Sequence, residues 1–163
     1  MKVGIMADSH DNLAAIKYLV NYFNQKNVDL LLHAGDFISP FTIPALAEFD
    51  GRVLGVFGNN DGDRETLQEM AEKNEVELFE APREIEVGNK EFLIAHRPQD
   101  LPEEISEEID LVVSGHTHEP AVEDNSTLHL NPGEAGGWLT GVTSGLIFDT
   151  ETDNHCWVRV PAP

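Results

Sequence analysis

Three stretches of this chain repeat one pattern: an apolar run, a polar loop, then apolar residues at helical spacing. "KVGIMA" stops at "DSHDN", after which Leu13, Ile16, Leu19, Val20 and Phe23 recur every three or four residues, with Asp11 or Asn12 available as helix N-cap. "DLLLHAGD" precedes "FTIPALAEF", a short helix with Pro44 near its first turn, and "RVLGVF" ends at "GNNDGD" before the helical "RETLQEMAEK". Strands linked in this way pair in parallel through right-handed helical crossovers, so the first half predicts a mostly parallel sheet.

The second half changes character. "REIEV" and "EFLIAH" flank "GNK", a hairpin turn, "PEEISEE" reads as a short acidic helix, and "DLVVS" as a further strand. "PAVED", "TLHLN", "SGLIFDT" and "HCWVRV" read as short, mainly antiparallel strands. No repeat, low-complexity segment or linker interrupts the chain, and 163 residues suffice for a core without staples. The expected architecture is one domain over residues 1–163, two facing sheets flanked by helices in a layered α/β sandwich.

Polar residues collect where the apolar runs stop: Asp8 and His10 in "DSH", Asp36 in "GD", Asn59, Asn60 and Asp61 in "GNND", His96 in "AH", His116 and His118 in "GHTH". In open α/β sheets, ligands bind beyond the carboxyl ends of the strands. Imidazole, carboxylate and amide oxygen without thiolate is a donor set for divalent Mn, Fe, Co, Ni or Zn. Asp8, His10, Asp36, Asn59, His96, His116 and His118 are too many for one tetrahedral ion and suit two ions sharing a bridging carboxylate. Glycines 35, 58 and 115 permit tight turns that swing the following side chain over the strand end. "GD" by itself says almost nothing; the ordered set of five loops carries the reading.

The order D-x-H, G-D, G-N-x-D, H, G-H-x-H resembles the calcineurin-like metallophosphoesterase superfamily, and the compact chain is similar to its small YfcE-type phosphodiesterases. The resemblance implies a four-layer α/β/β/α sandwich and hydrolysis of small phosphate esters at a dinuclear centre with a bridging hydroxide. It implies that Asp8, His10 and His118 hold one ion and Asn59, His96 and His116 the other, with Asp36 between them. Manganese is the first expectation, with iron, nickel, cobalt or zinc as alternatives. Local charge supports this, since two dications against Asp8, Asp36 and one hydroxide leave about +1 to attract phosphate. "NPGE", Asn131 to Glu134, stands where the small relatives usually have N-P-G-S, and Arg97 stands where they often have glycine. Asn60 occupies the position at which many superfamily members carry a catalytic histidine. It is expected to donate a hydrogen bond to a phosphoryl or leaving oxygen but not a proton, unless it only completes the turn. Arg97 is either a weak substrate contact or a solvated surface group. A non-catalytic interaction module of the same fold, as in the retromer subunit, is the alternative, and ligand integrity separates the two.

His33, within the second strand, is expected to be hydrogen-bonded beneath the metals rather than to bind one. His129 and His155 are expected to face solvent, His96 has a core histidine as its competing reading, and Asp63 and Arg64 are read as loop and helix-start residues without chemistry. The single Cys156 cannot form an internal disulfide, fits a reducing, cytoplasmic setting and is expected to pack. No stretch approaches the ~20 apolar residues of a membrane span, and "VGIMA" is shorter than a signal core of ~7–15 residues. Thirty acidic against ten basic residues give a net charge of −20, which points to a halophilic, archaeal source and makes a nucleic-acid partner unlike this chain. The reading leaves a homo-oligomer open.

Overall fold

The apolar runs of the first half are buried as parallel strands. In the computed structural model, which describes residues 1–163, β1 (Lys2–Met6), β2 (Leu30–His33), β3 (Arg52–Val56) and β4 (Val76–Phe79) pair in parallel in that order. The helices α1 (Leu13–Gln25), α2 (Thr42–Leu46) and α3 (Arg64–Lys73) join them. Of the two candidate N-caps for α1, Asn12 takes the role, accepting from the Ala15 amide at 3.2 Å, while Asp11 binds the amide and hydroxyl of Ser39. Asp63 caps α3 through the Thr66 amide. The strand β4 has no counterpart in the sequence reading, because "VELF" mixes buried and half-buried positions too briefly to show a period.

Residues of the last two strands, β10 (Val142–Asp149) and β11 (His155–Pro161), complete this sheet as antiparallel neighbours on the far side of β1. The second sheet consists of β5 (Arg83–Val87), β6 (Lys90–Ile94), β7 (Leu111–Val113), β8 (Ala121–Asp124) and β9 (Leu128–Asn131), in the order β5-β6-β7-β9-β8. The hairpin expected at "GNK" is present: Val87 pairs with Lys90 across Gly88 and Asn89, and Gly88 supplies the positive φ (+67°) of such a turn.

Two apolar layers follow from strand alternation. Met6, Leu31, Val53, Val76 and Leu78 face the helices with Ile16, Leu19, Phe23, Ile43, Leu46 and Leu67. Val3, Ile5, Leu32, Leu54 and Val56 face the other sheet, meeting Phe92, Ile94, Leu111, Val113 and Leu130. The layered α/β sandwich therefore holds, with its outermost layer on the second sheet thinned to the segment 98–109, whose Leu101, Ile105 and Ile109 pack on Leu93 and Val112.

Within that segment the expected helix over "PEEISEE" does not form; a single 3-10 turn, Pro98–Asp100, precedes it. Glu103 and Glu104 would stand one turn before Glu107 and Glu108, a like-charge arrangement that destabilises a helix already too short to persist alone. Cys156 is exposed rather than packed, since it opens β11, an edge strand of the first sheet. His155 is exposed as expected, whereas His129 is half-buried, its Nε2 2.8 Å from the Ser114 hydroxyl.

Candidate metal centre

Five loops meet at the carboxyl ends of β1, β2, β3, β6 and β7, and their backbones are tied to one another. Asp8 N–H donates to the Gly35 carbonyl at 3.0 Å, His10 N–H to Asp36 at 3.2 Å, and Gly115 N–H to His96 at 2.9 Å. Asp8, His10, Asp36, His116 and His118 all have positive φ, between 42° and 70°. Non-glycine residues seldom adopt this conformation, and it persists only where the surrounding structure holds it. Of the three glycines, only Gly35 (φ +94°) uses its conformational freedom. Gly58 and Gly115 are needed for room: a Cβ at Gly58 would collide with Asp36, and one at Gly115 would lie 2.9 Å from Asp8 Oδ2.

Asp8 is fully buried; its Oδ2 accepts from the His116 amide at 2.8 Å. Its Oδ1 faces three imidazoles, with Nε2 of His118 at 3.4 Å, of His10 at 3.8 Å and of His96 at 3.9 Å. Asp36 Oδ2 lies 3.3 Å from His96 Nε2 and 3.5 Å from His10 Nε2. The histidine rings pair, His10 with His118 and His96 with His116, each at 5.2 Å between centroids. Donor atoms of Asp8, His10 and His118 fall within 4.8 Å of one another, as do those of Asp8, Asp36 and His96. Asp8 thus belongs to both groups, and Asp36 Oδ2 lies near a histidine of each. Asn59 is exposed and lines, with His96, Arg97 and Arg64, an adjoining cleft of about 460 Å³.

Do these residues fit divalent ions? Asp8 Oδ1, His10 Nε2 and His96 Nε2 are buried without a hydrogen-bond partner, a state that costs free energy unless something else engages them. A carboxylate oxygen among imidazole nitrogens is the donor chemistry of borderline cations, so the residues fit. The His96 ring is already set for that task, since its Nδ1 donates to the Ala34 carbonyl at 2.9 Å and leaves Nε2 toward the carboxylates.

Charge is tuned by contact. Burial pushes Asp36 upward, but the His96 imidazole 3.3 Å away and the hydrogen bonds from Asn60 outweigh it and hold Asp36 well below the usual carboxylate range. The Asp8 carboxylate 3.8 Å away, with Asp36 beside it, holds His10 above its ordinary value against burial. Burial, then the neighbouring His96, brings His33 down to about 3. That histidine stays neutral and structural, as expected: its Nδ1 accepts from Gly35 N–H at 3.2 Å, so its Nε2 proton points to Ser9 Oγ at 2.9 Å.

Asn60 donates through its backbone to Asp36 Oδ1 at 2.9 Å and through its side-chain amide to Oδ2 at 2.7 Å, so it orients that carboxylate. The Arg97 guanidinium lies in the cleft but is held by both Asp100 oxygens, at 2.8 and 2.7 Å. Arg64, read as a helix-start residue, also donates to the Gly58 carbonyl at 2.9 Å and braces the loop.

Two residues left without a role by the sequence stand out. Asp61, buried, accepts from the amides of Asp36, Ile38 and Gly58 and pins the second loop to the third. Glu134, 1% exposed, brings Oε1 to 3.3 Å from His118 Nδ1 and accepts from the amides of Leu139 and Thr140 and the Thr140 hydroxyl. The first could be sought in "GNND"; nothing local marks the second.

The profile of the calcineurin-like phosphoesterase superfamily domain matches residues 1–153. The chain belongs to that superfamily. It is similar to phosphodiesterase MJ0936 of Methanocaldococcus jannaschii, 36% identical over 160 residues that cover 95% of this chain and 96% of the relative. Among solved structures, that of an archaeal phosphodiesterase superimposes with TM-score 0.89 at 34% identity, covering 98% of this chain and 100% of the other. The YfcE phosphoesterase of E. coli gives 0.73 at 20% identity, and Vps29 of Entamoeba histolytica gives 0.69 at 19%, each over 100% of both chains. At that identity the likeness is one of fold.

Proposed function

We propose that the chain is a metal-dependent phosphodiesterase that hydrolyses small phosphate esters at two divalent ions, manganese first among them. The observation that carries this is the convergence of Asp8 Oδ1 with Nε2 of His10, His96 and His118 at the ends of the strands, those of His10 and His96 buried without a partner. The similarity to phosphodiesterase MJ0936 along nearly the whole chain supports it. Asp8, His10 and His118 would hold one ion and Asn59, His96 and His116 the other, with Asp36 between them. Bound there, the ions would supply Lewis acidity to the phosphoryl oxygens and a water made nucleophilic near neutral pH.

This chain's own residues do the rest. Asp36, kept ionised by Asn60 and His96, supplies negative charge at the centre, and Asp61 fixes the loop that carries it. The Asn60 amide is a donor without a transferable proton, so rates should favour esters with acidic leaving groups. Arg97, with a guanidinium nitrogen left over from its Asp100 pair, is placed in the cleft to meet an anionic or polar substituent. A soluble, reducing compartment fits this chemistry.

The test is hydrolysis of bis(p-nitrophenyl) phosphate before and after chelation, with metal content measured in parallel. Activity should vanish with the metal and return with Mn²⁺. Asp36→Ala should lose both ions and His118→Ala one; equal rates with and without metal would refute the reading.

A further inference from the structure

Next to the metal centre the chain exposes two large apolar side chains that it has no need to expose. Residues 131–137 are buried without interruption, and the loop then turns out to Trp138 and Leu139, 63% and 79% exposed. This turn is not loose. The Glu134 carboxylate holds the amides of Leu139 and Thr140, Gly141 N–H returns to the Gly137 carbonyl at 3.0 Å, and Asn12 binds the Gly136 carbonyl at 2.7 Å. Trp138 itself is anchored, its indole N–H donating to the backbone carbonyl of His10 at 2.8 Å. One edge of the ring is thus fixed to a residue of the metal centre while most of its surface meets water.

We infer that Trp138, flanked by Leu139, is the platform on which an aromatic ring of the ester substrate stacks, so that the preferred substrates are phosphodiesters of aryl or nucleobase-bearing alcohols. The inference rests on the phosphodiesterase reading and names its substrate class. A phosphate bound at the ion that Asp8, His10 and His118 would hold projects its organic groups within a few ångströms, and the indole is the apolar surface attached to His10. In a chain of charge −20 with its acids predominant, an apolar platform selects by stacking rather than by charge. Preorganisation by Glu134 and the His10 carbonyl means that little side-chain freedom is lost on binding.

Competitive inhibition separates the stack from the chemistry, because phosphonates carry a ring without being turned over. In the Mn²⁺-loaded protein, phenylphosphonate should bind on the order of tenfold tighter than methylphosphonate, and thymidine 5′-phosphate tighter than methyl phosphate. Preference in the first pair alone assigns aryl esters, and in the second alone nucleobases. Trp138→Ala should abolish the preference and raise KM for methyl p-nitrophenyl phosphate, and Trp138→Phe, which keeps a ring but loses the N–H, should retain the preference and the wild-type KM. In a Trp157→Phe background, phenylphosphonate should quench Trp138 fluorescence whether or not any ester is hydrolysed. Inactivity on every diester would sink the phosphodiesterase reading; metal-dependent activity with a phenyl preference untouched in Trp138→Ala would sink this one. Conversion of an oligomer to a monomer by Trp138→Ala, with the preference intact, would assign the face to a second copy of the chain and overturn the platform.

Discussion

Glu134 shows how much one buried side chain does for a site that local motifs do not announce. Burial raises its carboxyl, yet the amides of Leu139 and Thr140 and the nearby His118 outweigh burial and keep it below its ordinary range, hence ionised. A carboxylate behind an imidazole fixes the ring and raises its basicity, and losing such a partner typically costs about 10–100-fold in metal affinity. Glu134→Gln keeps an oxygen for the turn but removes the charge, so calorimetric titration with Mn²⁺ should show one of two ions weakened by that factor, at nearly unchanged thermal stability without metal. Glu134→Ala leaves the turn amides without an acceptor and should in addition lose about 1–3 kcal/mol of stability. Equal Mn²⁺ affinity in the wild type and Glu134→Gln would confine Glu134 to the turn. The expected ligands could be named because each sits in a fragment of two to four residues, whereas Glu134 reaches His118 across 16 positions and only folding brings them to 3.3 Å.

Among the elements, α1 joins sequence and site through its N-cap. Asn12 caps the helix by its oxygen and binds the Gly136 carbonyl by its nitrogen, so one side chain stitches α1 to the turn that carries Trp138. Removing a cap costs about 1 kcal/mol, and leaving a buried carbonyl unpaired adds a comparable amount. Asn12→Ala should therefore lower stability by about 2 kcal/mol in urea unfolding, seen as a lower midpoint at constant slope. Asn12→Asp, which keeps the cap acceptor but sets a carboxylate against the Gly136 carbonyl, should not recover the loss; full recovery would show that only the cap matters. The helix itself was legible from its apolar spacing, and its cap, Asn12, was one of two readable choices with Asp11. "PEEISEE" was misread as a helix for the opposite reason: its local composition tolerates a helix, but its charges repel along one face and its three apolar contacts, Leu101, Ile105 and Ile109, are met by an irregular chain.

For the whole molecule the dominant unknown is charge. Six of the ten cationic side chains, Lys17, Arg52, Arg64, Lys73, Lys90 and Arg97, are already in ion pairs, so most of the thirty acids have no partner to call on. Their repulsion acts over ~10 Å at 0.1 M salt and ~3 Å at 1 M. Raising KCl from about 0.1 M to about 2 M should raise the melting temperature by on the order of 10 °C, a gain of several kcal/mol for a chain of this size. A flat response would remove the halophilic reading and leave the metal centre untouched. No helix is long and apolar enough to cross a membrane.

The sequence by itself determined the order of strands and helices in the first half and the clustering of Asp8, His10, Asp36, His96, His116 and His118 at strand ends. Both follow from periods and punctuation that operate over a few residues, where propensity and alternation are decisive. Tertiary structure alone decided that β10 and β11 close the first sheet beside β1, that Asp8 faces three histidines from three loops, and that Glu134, Asp61 and Asn12 hold those loops together. These are contacts between residues distant in the chain, made by groups whose local surroundings would suit a surface position equally well. Their partners are set by which backbone amides and rings the fold leaves without one.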